Sequence, residues 1–314
     1  MIFKKGPLFY FFFNLRLFVF LIFVKTDVLL ANDLDTLPAN YLASKIKKIP
    51  LVYDSHEYFT EVPELINRKW VRGFWLGIEA FIFPRLKKVY TVSASIAQAY
   101  EKKYKIPVKV IRNLPLSQLP DSGPFNIKGI QNREIILYQG TLNKGRGLEL
   151  AIQSMRFIEG AVFLIAGDGP EREALEQLIQ SQQLTDKVIF AGRLSPGKLR
   201  GVTRQASVGI SLEENIGLNY FYALPNKLFD YILAGVPVLV SPFPEMEKIV
   251  LEYGVGEILD SFDEKHLAQK FNEMLCDREK RAIWKINLNR AAKELCWEQE
   301  EKLLKDFFKP FKKY

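Results

Sequence analysis

Cysteine and histidine are scarce in this 314-residue chain, with two of each. Cys276 and Cys296 both fall in late helical stretches, so they exclude a disulfide scaffold and a zinc site and read as reduced core thiols of a cytoplasmic protein. With only His56 and His266 present, a histidine metal cluster is excluded too. There is no zinc-finger spacing, no RNA-binding aromatic signature and no heptad array, and nucleic acid is not expected as a partner. The chain also lacks an apolar run of comfortable membrane-spanning length. Its longest, Leu8 to Val24 (LFYFFFNLRLFVFLIFV), is 17 residues with Asn14 and Arg16 in the middle. No small-residue cleavage site follows, which argues against a secretory signal. Three readings stand in order: a buried helix packed on a sheet, a helix in the membrane interface, and a signal anchor.

What is present is ordinary for a globular protein of two domains: 48% apolar and 25% charged residues. The net charge of +8 is unevenly spread. Residues 1–120 hold 18 Lys and Arg against 9 Asp and Glu, and the remainder holds 26 against 27. A basic half joined to a neutral half points to an anionic partner for residues 1–120, with a membrane surface, or a phosphate-bearing acceptor lying on one, the stronger candidate. This predicts a cytoplasmic protein, peripheral at the inner face of a membrane.

The first half alternates strands and helices. Asp27–Ala31 reads as a short strand, and the run Asn32 to Asp35 as the cap of a helix from Thr36 to Ile46. Leu51–Tyr53 is the next strand, ending in Asp54-Ser55-His56-Glu57. Ligands of open α/β sheets bind beyond the carboxyl ends of strands, so Asp33, Asp35, Asp54, His56 and Glu57 are expected to face one crevice. His56 could orient a substrate or exchange a proton, and a structural role is equally open. One strand end rarely supplies a complete metal site. A helix from Pro63 to Phe83 carries a Trp- and Phe-rich face beside Arg68, Lys69 and Arg72, which suits either a membrane-facing patch or a core helix with a solvated side. Further strands are expected at Val89–Val92 and Val108–Ile111, with Ser93 capping the helix between them. Residues 113–124, rich in turn formers, mark the domain boundary.

The second half repeats the pattern, with strands at Ile135–Tyr138, Val162–Ala166, Val188–Phe190, Val208–Ser211, Val238–Val240 and near Glu257–Leu259. The expected fold is α/β, two doubly wound parallel-sheet domains of Rossmann type. After the first of these strands, Gly140-Thr-Leu-Asn-Lys-Gly-Arg-Gly147 puts flexible backbone, Asn143, Lys144 and Arg146 at a helix start, a combination that suits a diphosphate. It is neither a P-loop nor a dinucleotide fingerprint. Gly167-Asp-Gly-Pro170 makes a similar turn after the next strand. In Leu224–Ser241, Asn226 should cap a helix beginning at Lys227 and ending at Gly235, followed by a buried strand. Asn226, Lys227 and Asp230 share its polar side; taken alone, this is an ordinary amphipathic helix.

Together, Asp54-Ser-His-Glu57, Val92-Ser93, Ile111-Arg-Asn113, Gly140…Arg146-Gly147, Gly167-Asp-Gly-Pro170 and Pro225-Asn-Lys-Leu-Phe-Asp-Tyr…Gly235-Val-Pro237 resemble glycosyltransferase family 4, also called group 1. The resemblance implies the GT-B fold, two Rossmann-like domains facing a cleft, with boundaries at 1–120 and 121–296 and a C-terminal helix, 297–314, crossing back. It implies retaining transfer of a sugar from a nucleotide-diphosphate donor, with no metal and no cofactor, to a glycan or lipid-linked acceptor in cell-surface polysaccharide or glycolipid assembly. By the same likeness, His56, Arg146 and Asp230 would be catalytic. The donor would be held by Gly140, Asn143, Lys144, Gly167, Asn226 and Lys227, and the acceptor side formed by Asp33, Asp35, Asp54 and Glu57. Arg146 corresponds to the family's diphosphate-binding lysine and Asp230 to the second carboxylate of its Glu-x7-Glu motif. Departures are Thr141 in place of a phosphate-binding arginine and Tyr222 in place of the first glutamate, for which Glu213 or Glu214 is a candidate substitute. The family's opening strand and glycine-rich loop are not seen before Asp27, so the first domain is expected to be incomplete at its start or completed by a partner. A nucleotide-sugar epimerase and a non-catalytic transferase-like subunit are the alternatives.

Overall fold

The computed structural model describes residues 6–118, 123, 129–130 and 133–311. It divides into two compact units. One holds residues 1–112, 217–223 and 302–314, and the other holds 113–216 and 224–301. Lys4, Lys5 and part of the stretch 113–124 lie outside the described residues.

The first unit contains α1 (Pro7–Phe23), β1 (Leu29–Asn32), α2 (Leu37–Lys47), β2 (Leu51–Ser55), α3 (Pro63–Ile66), α4 (Lys69–Ile82), β3 (Lys88–Thr91), α5 (Ala94–Tyr104) and β4 (Lys109–Val110). Its four strands pair in parallel in the order β1-β2-β3-β4. Strand alternation sorts the side chains: Leu51 and Tyr53 of β2 enter a core with α2, α4 and α5, whereas Val52 joins Tyr90 and Ile111 on the other face. That second face is covered by Leu304, Phe307, Phe308 and Phe311 from the end of the chain. Parallel sheets are stable when both faces are covered, and the C-terminal segment supplies the missing layer.

Several local expectations are corrected. The helix expected over 63–83 is two helices, because Arg68 leaves helical geometry and a new turn begins at Lys69. Arg72 does not share the aromatic face: it turns inward to donate to the Thr60 carbonyl (2.9 Å) and pair with Glu61. The turn after β1 is not capped by an Asx side chain. Thr36 occupies the cap position, and its hydroxyl donates back to the Asn32 carbonyl (2.6 Å). The helix α1 packs chiefly on α2, with Tyr10, Phe18, Leu21 and Ile22 partly buried against the core of the unit, and none of its residues is fully buried. Asn14, which sits oddly in an apolar run, makes the join: its amide donates to the Asp35 carbonyl (2.8 Å) and its oxygen accepts from Ala39 N (3.2 Å). Among the described residues, no helix is long and apolar enough to cross a membrane.

The second unit contains β5 (Glu134–Gln139), α6 (Leu148–Ser154), β6 (Ala161–Ala166), α7 (Arg172–Ser181), β7 (Val188–Phe190), α8 (Pro196–Thr203) and β8 (Val208–Ser211). A short α9 (Leu218–Phe221) then belongs to the first unit. The chain continues with α10 (Asn226–Ala234), β9 (Val238–Val240), α11 (Pro244–Tyr253), β10 (Gly256–Ile258), α12 (Glu264–Cys276), α13 (Arg278–Glu294) and α14 (Trp297–Phe308), whose last turns pass into the first unit. The strand order is β10-β9-β8-β5-β6-β7, all parallel. This is the Rossmann order, with its reversal between β5 and β8, and it is there that ligands of open α/β sheets bind. Strands β5 and β6 are apolar and buried because sheet neighbours and helices enclose them on all sides. Of the two cysteines, Cys296 is buried as expected, but Cys276 is exposed at the last turn of α12.

Candidate functional site

Two loops meet at the carboxyl edge of β5 and β6. Leu142 N donates to the Asp168 carbonyl (3.1 Å) and Glu171 N to the Leu142 carbonyl (3.0 Å), knitting the loops backbone to backbone. A Cβ on Gly167 would lie 1.8 Å from the Gly140 carbonyl oxygen, so this glycine is required by loop contact before any ligand is considered. Gly147, at φ 67°, lets α6 start directly against Leu212, where a side chain would stand 2.3 Å from the Leu212 carbonyl oxygen. Arg146 is thereby held beside the end of β8.

There it meets Glu213. This carboxylate has no exposed surface; its Oε1 accepts from Lys227 Nζ at 2.8 Å and from Arg146 Nη1 at 3.2 Å, and its Oε2 from the Ser211 hydroxyl at 2.8 Å. Burial would push the Glu213 carboxyl up, but Lys227 and Arg146 outweigh it and hold it below the usual carboxylate range. Burial and the Arg146 charge pull Lys227 below the ordinary lysine value, against the attraction of Glu213. Two cations thus converge on this one carboxylate. Lys227, read from sequence on a polar helix side, is in fact 8% exposed and lies over the Tyr138 ring at 4.3 Å.

The helix that carries Lys227 begins one residue earlier than expected. Pro225 takes the extended cap position and Asn226 is already helical, so its amide caps nothing. Gly235 closes the helix in the left-handed conformation, as the sequence predicts. One turn along from Lys227, Asp230 Oδ2 accepts from Gln139 Nε2 (2.8 Å), and Gln139 Oε1 accepts from the Thr203 hydroxyl (2.7 Å). Consecutive residues of β5, Tyr138 and Gln139, thus receive Lys227 and Asp230 of α10. Asp230, Gln139, Arg200, Thr203 and Arg204 line a cavity of about 230 Å³ whose walls include Leu194, Leu199 and Leu233. Burial raises the Asp230 carboxyl, opposed by Arg200 and the Gln139 bond. A carboxylate with one oxygen committed to Gln139 keeps capacity to accept from ligand hydroxyls. Gln139, Thr203 and Arg200 escaped the sequence reading; the one signal was a polar residue closing the apolar run of β5.

In the first unit, His56 stands between two carboxylates. Its Nδ1 is 3.4 Å from Asp33 Oδ2 and its Nε2 is 3.2 Å from Asp54 Oδ2, while His56 N donates to Asp33 Oδ1 (3.0 Å). The hydrogen bond to Asp33 raises the imidazole pKa, with burial opposing and Asp54 adding to the rise. Asp54 also accepts from the Tyr90 hydroxyl (2.8 Å), and its Oδ1 is buried without a hydrogen-bond partner among the described residues. Burial raises the carboxyls of Asp54, Asp35 and Glu57. Glu57 accepts from Asn219 (3.3 Å), whose Oδ1 accepts from Tyr58 N (2.8 Å). Asn219 and Tyr222 reach this unit through residues 217–223, a segment for which the sequence gives no local sign of its destination. Tyr222, eight residues before Asp230, packs against the first unit's core. Asp33-Leu34-Asp35 has the spacing of a metal-binding Asp-x-Asp pair, against the expectation that the chain offers none. Among the described residues, no group of three or more His, Cys, Asp or Glu could hold a metal ion.

Both units are parallel α/β domains, and the second has the Rossmann strand order. The sequence profile described as glycosyl transferases group 1 matches residues 124–290, and that of glycosyltransferase family 4 matches residues 1–114. The chain belongs to the group 1 glycosyl transferases. It is 23% identical over 258 residues to alpha-D-kanosaminyltransferase of Streptomyces kanamyceticus, an alignment covering 77% of this chain and 65% of that protein. Sucrose-phosphate synthase of Thermosynechococcus elongatus has the same fold, with a TM-score of 0.78 at 17% identity, over 95% of this chain and 77% of that one. So has Anabaena HepE, solved with UDP and glucose: the TM-score is 0.76 at 17% identity, over 95% and 81% of the respective chains. These neighbours have the GT-B fold.

Proposed function

We propose that the protein is a retaining glycosyltransferase that takes a sugar from a nucleoside-diphosphate donor. The observation that carries this reading is the convergence of Arg146 and Lys227 on buried Glu213, at the sheet edge where the strand order reverses. When the bond from the anomeric carbon to the diphosphate breaks, negative charge grows on the departing phosphate oxygens. Preorganised cations in a water-poor site stabilise that charge without reorganising. Glu213 keeps the two cations ionised and in place while the site is empty, and Lys144 and the first turn of α10 add positive potential. In this reading Asp230, oriented by Gln139 and Thr203, accepts from the donor ribose, and the leucine-lined part of the cavity takes the base. The HepE complex with UDP and glucose favours a uridine donor by analogy. His56, its charged form favoured by Asp33, would orient a substrate hydroxyl. We assign the acceptor to cell-surface glycans or glycolipids, on the strength of the basic and apolar surface of the first unit.

The test is release of nucleoside diphosphate from a panel of nucleotide-sugars with a membrane-extracted glycolipid acceptor, the product's anomeric configuration being read by NMR. Arg146→Ala should lower turnover roughly 10²-fold or more. Unchanged turnover in that variant, or an inverted product, contradicts the reading. A binding subunit without turnover is the second reading. It is favoured by Tyr222 standing where the family has a glutamate, and donor binding with no release in any combination would support it. Epimerisation without acceptor would point to an epimerase instead.

A further inference from the structure

The outer face of α4 is unusual. Trp75, Glu79 and Ile82 are buried on its inner side, where Glu79 Oε1 accepts from Lys103 (2.7 Å) and from the Tyr104 hydroxyl (2.5 Å), which fixes the helix's rotation. Trp70, Phe74 and Phe81 therefore form one outward stripe, with Trp70 94% exposed. Across from it on α2, Leu42 and Ile46 are also exposed. Between the helices runs an apolar groove of about 520 Å³, lined by Pro38, Leu42, Phe74, Ile78 and Phe81. At one end the chemistry changes sharply. Lys45 sits over the Tyr41 ring at 5.2 Å and Arg85 over the Phe81 ring at 4.3 Å. They lead into a second cleft, of about 510 Å³, where Lys45, Lys48, Arg85, Lys87 and Lys88 gather and, among the described residues, no carboxylate lines the wall.

We propose that this α2–α4 face docks the protein on an anionic lipid bilayer, the aromatic stripe entering the headgroup–acyl boundary and the five cations meeting lipid phosphates. Trp and Tyr prefer that boundary, and basic side chains reach from it toward the phosphates. A second copy of the chain is disfavoured by charge, since it presents the same cations on this face and offers them no opposite charge. The surface uses none of the residues assigned to sugar transfer, so it stands whether or not that reading holds.

Co-sedimentation of the full chain with vesicles of equal parts phosphatidylcholine and phosphatidylglycerol tests this. Binding should be at least 10-fold tighter than to phosphatidylcholine alone. Lys45→Glu with Arg85→Glu should weaken it at least 10-fold, since each lost cation costs about five-fold. Trp70→Ser with Phe74→Ser should weaken it similarly while leaving the thermal unfolding of the chain unchanged as a check on folding, and brominated lipid should quench Trp70. Three outcomes would overturn the proposal. One is binding that ignores lipid charge or these substitutions. Another is displacement by millimolar inorganic phosphate, which marks a small-anion site. The third is a dimer in solution that Trp70→Ser with Phe74→Ser dissociates.

Discussion

Replacing Glu213 by glutamine removes one charge and almost no volume, and so isolates what the buried carboxylate does. Glutamine can still accept from Lys227 and pair with Ser211, and the variant's main change is two cations left facing each other. Arg146, 23% exposed in its side chain, can lean toward solvent, but Lys227, at 9%, cannot. Breaking a buried ion pair by neutralising one partner costs about 3–5 kcal/mol. The Tyr138 ring and loss of the Lys227 proton both soften the penalty, so the lower end, about 3 kcal/mol, is expected. For a unit of 150 to 250 residues this lowers the melting temperature by about 6–12 °C, read by calorimetry as the transition of the second unit. Adding Lys227→Met removes the stranded charge and should recover more than half of the loss. A nucleoside diphosphate should stabilise Glu213→Gln more than the parent, because it returns negative charge to the same two cations. In the parent, this carboxylate's contribution is present above the usual carboxylate range and fades as pH falls through its depressed value. A loss below about 1 kcal/mol, or no recovery in the double variant, would refute the account of the cluster.

Asp230→Asn keeps an acceptor for Gln139 but removes a charge that burial penalises, so thermal stability should hold or rise while donor affinity falls about 10-fold or more. A loss of stability with unchanged affinity would show that the carboxylate serves the fold. With only two histidines in the chain, NMR can follow His56 directly: it should titrate above about 6.5, and Asp33→Asn should bring it down. The stability it contributes is present below that value and is lost as pH rises through its raised folded pKa. An unmoved titration in Asp33→Asn would contradict the geometry. Gly209→Ala would place a Cβ 2.4 Å from the Tyr231 ring, which is fully buried and donates to the Leu137 carbonyl (3.1 Å). That should cost about 1–3 kcal/mol or more and weaken donor binding through β5; a neutral substitution would argue that the helix gives way easily.

The second unit was largely legible because each of its strands is a short apolar run ending in glycine or polar residues, a signal that survives without tertiary context. The Gly235 stop on α10 was readable for the same reason. What escaped depends on partners distant in sequence. Glu213 and Glu214 are adjacent and chemically alike, yet only Glu213 is wholly buried. The reason is that Lys227, fourteen residues on, and Arg146, sixty-seven back, converge on it. Lys227 looked solvated because it lies on the polar side of α10, and its burial is made tolerable by the Glu213 carboxylate and the Tyr138 ring. Nothing local in residues 217–223 says that Asn219 will hold Tyr58 and Glu57. The inward turn of Arg72 likewise follows from Glu61, which lies beyond the break between α3 and α4.

Calorimetric titration of nucleoside diphosphates into the intact chain and into Arg146→Ala tests the central claim most directly. The account predicts saturable binding of at least one nucleoside diphosphate to the parent. At a hundred times its Kd, that ligand should stabilise the fold by about 2.7 kcal/mol, and Arg146→Ala should bind it at least 10-fold more weakly. Binding of equal strength in both proteins, or no binding of any nucleoside diphosphate to the parent, would contradict it.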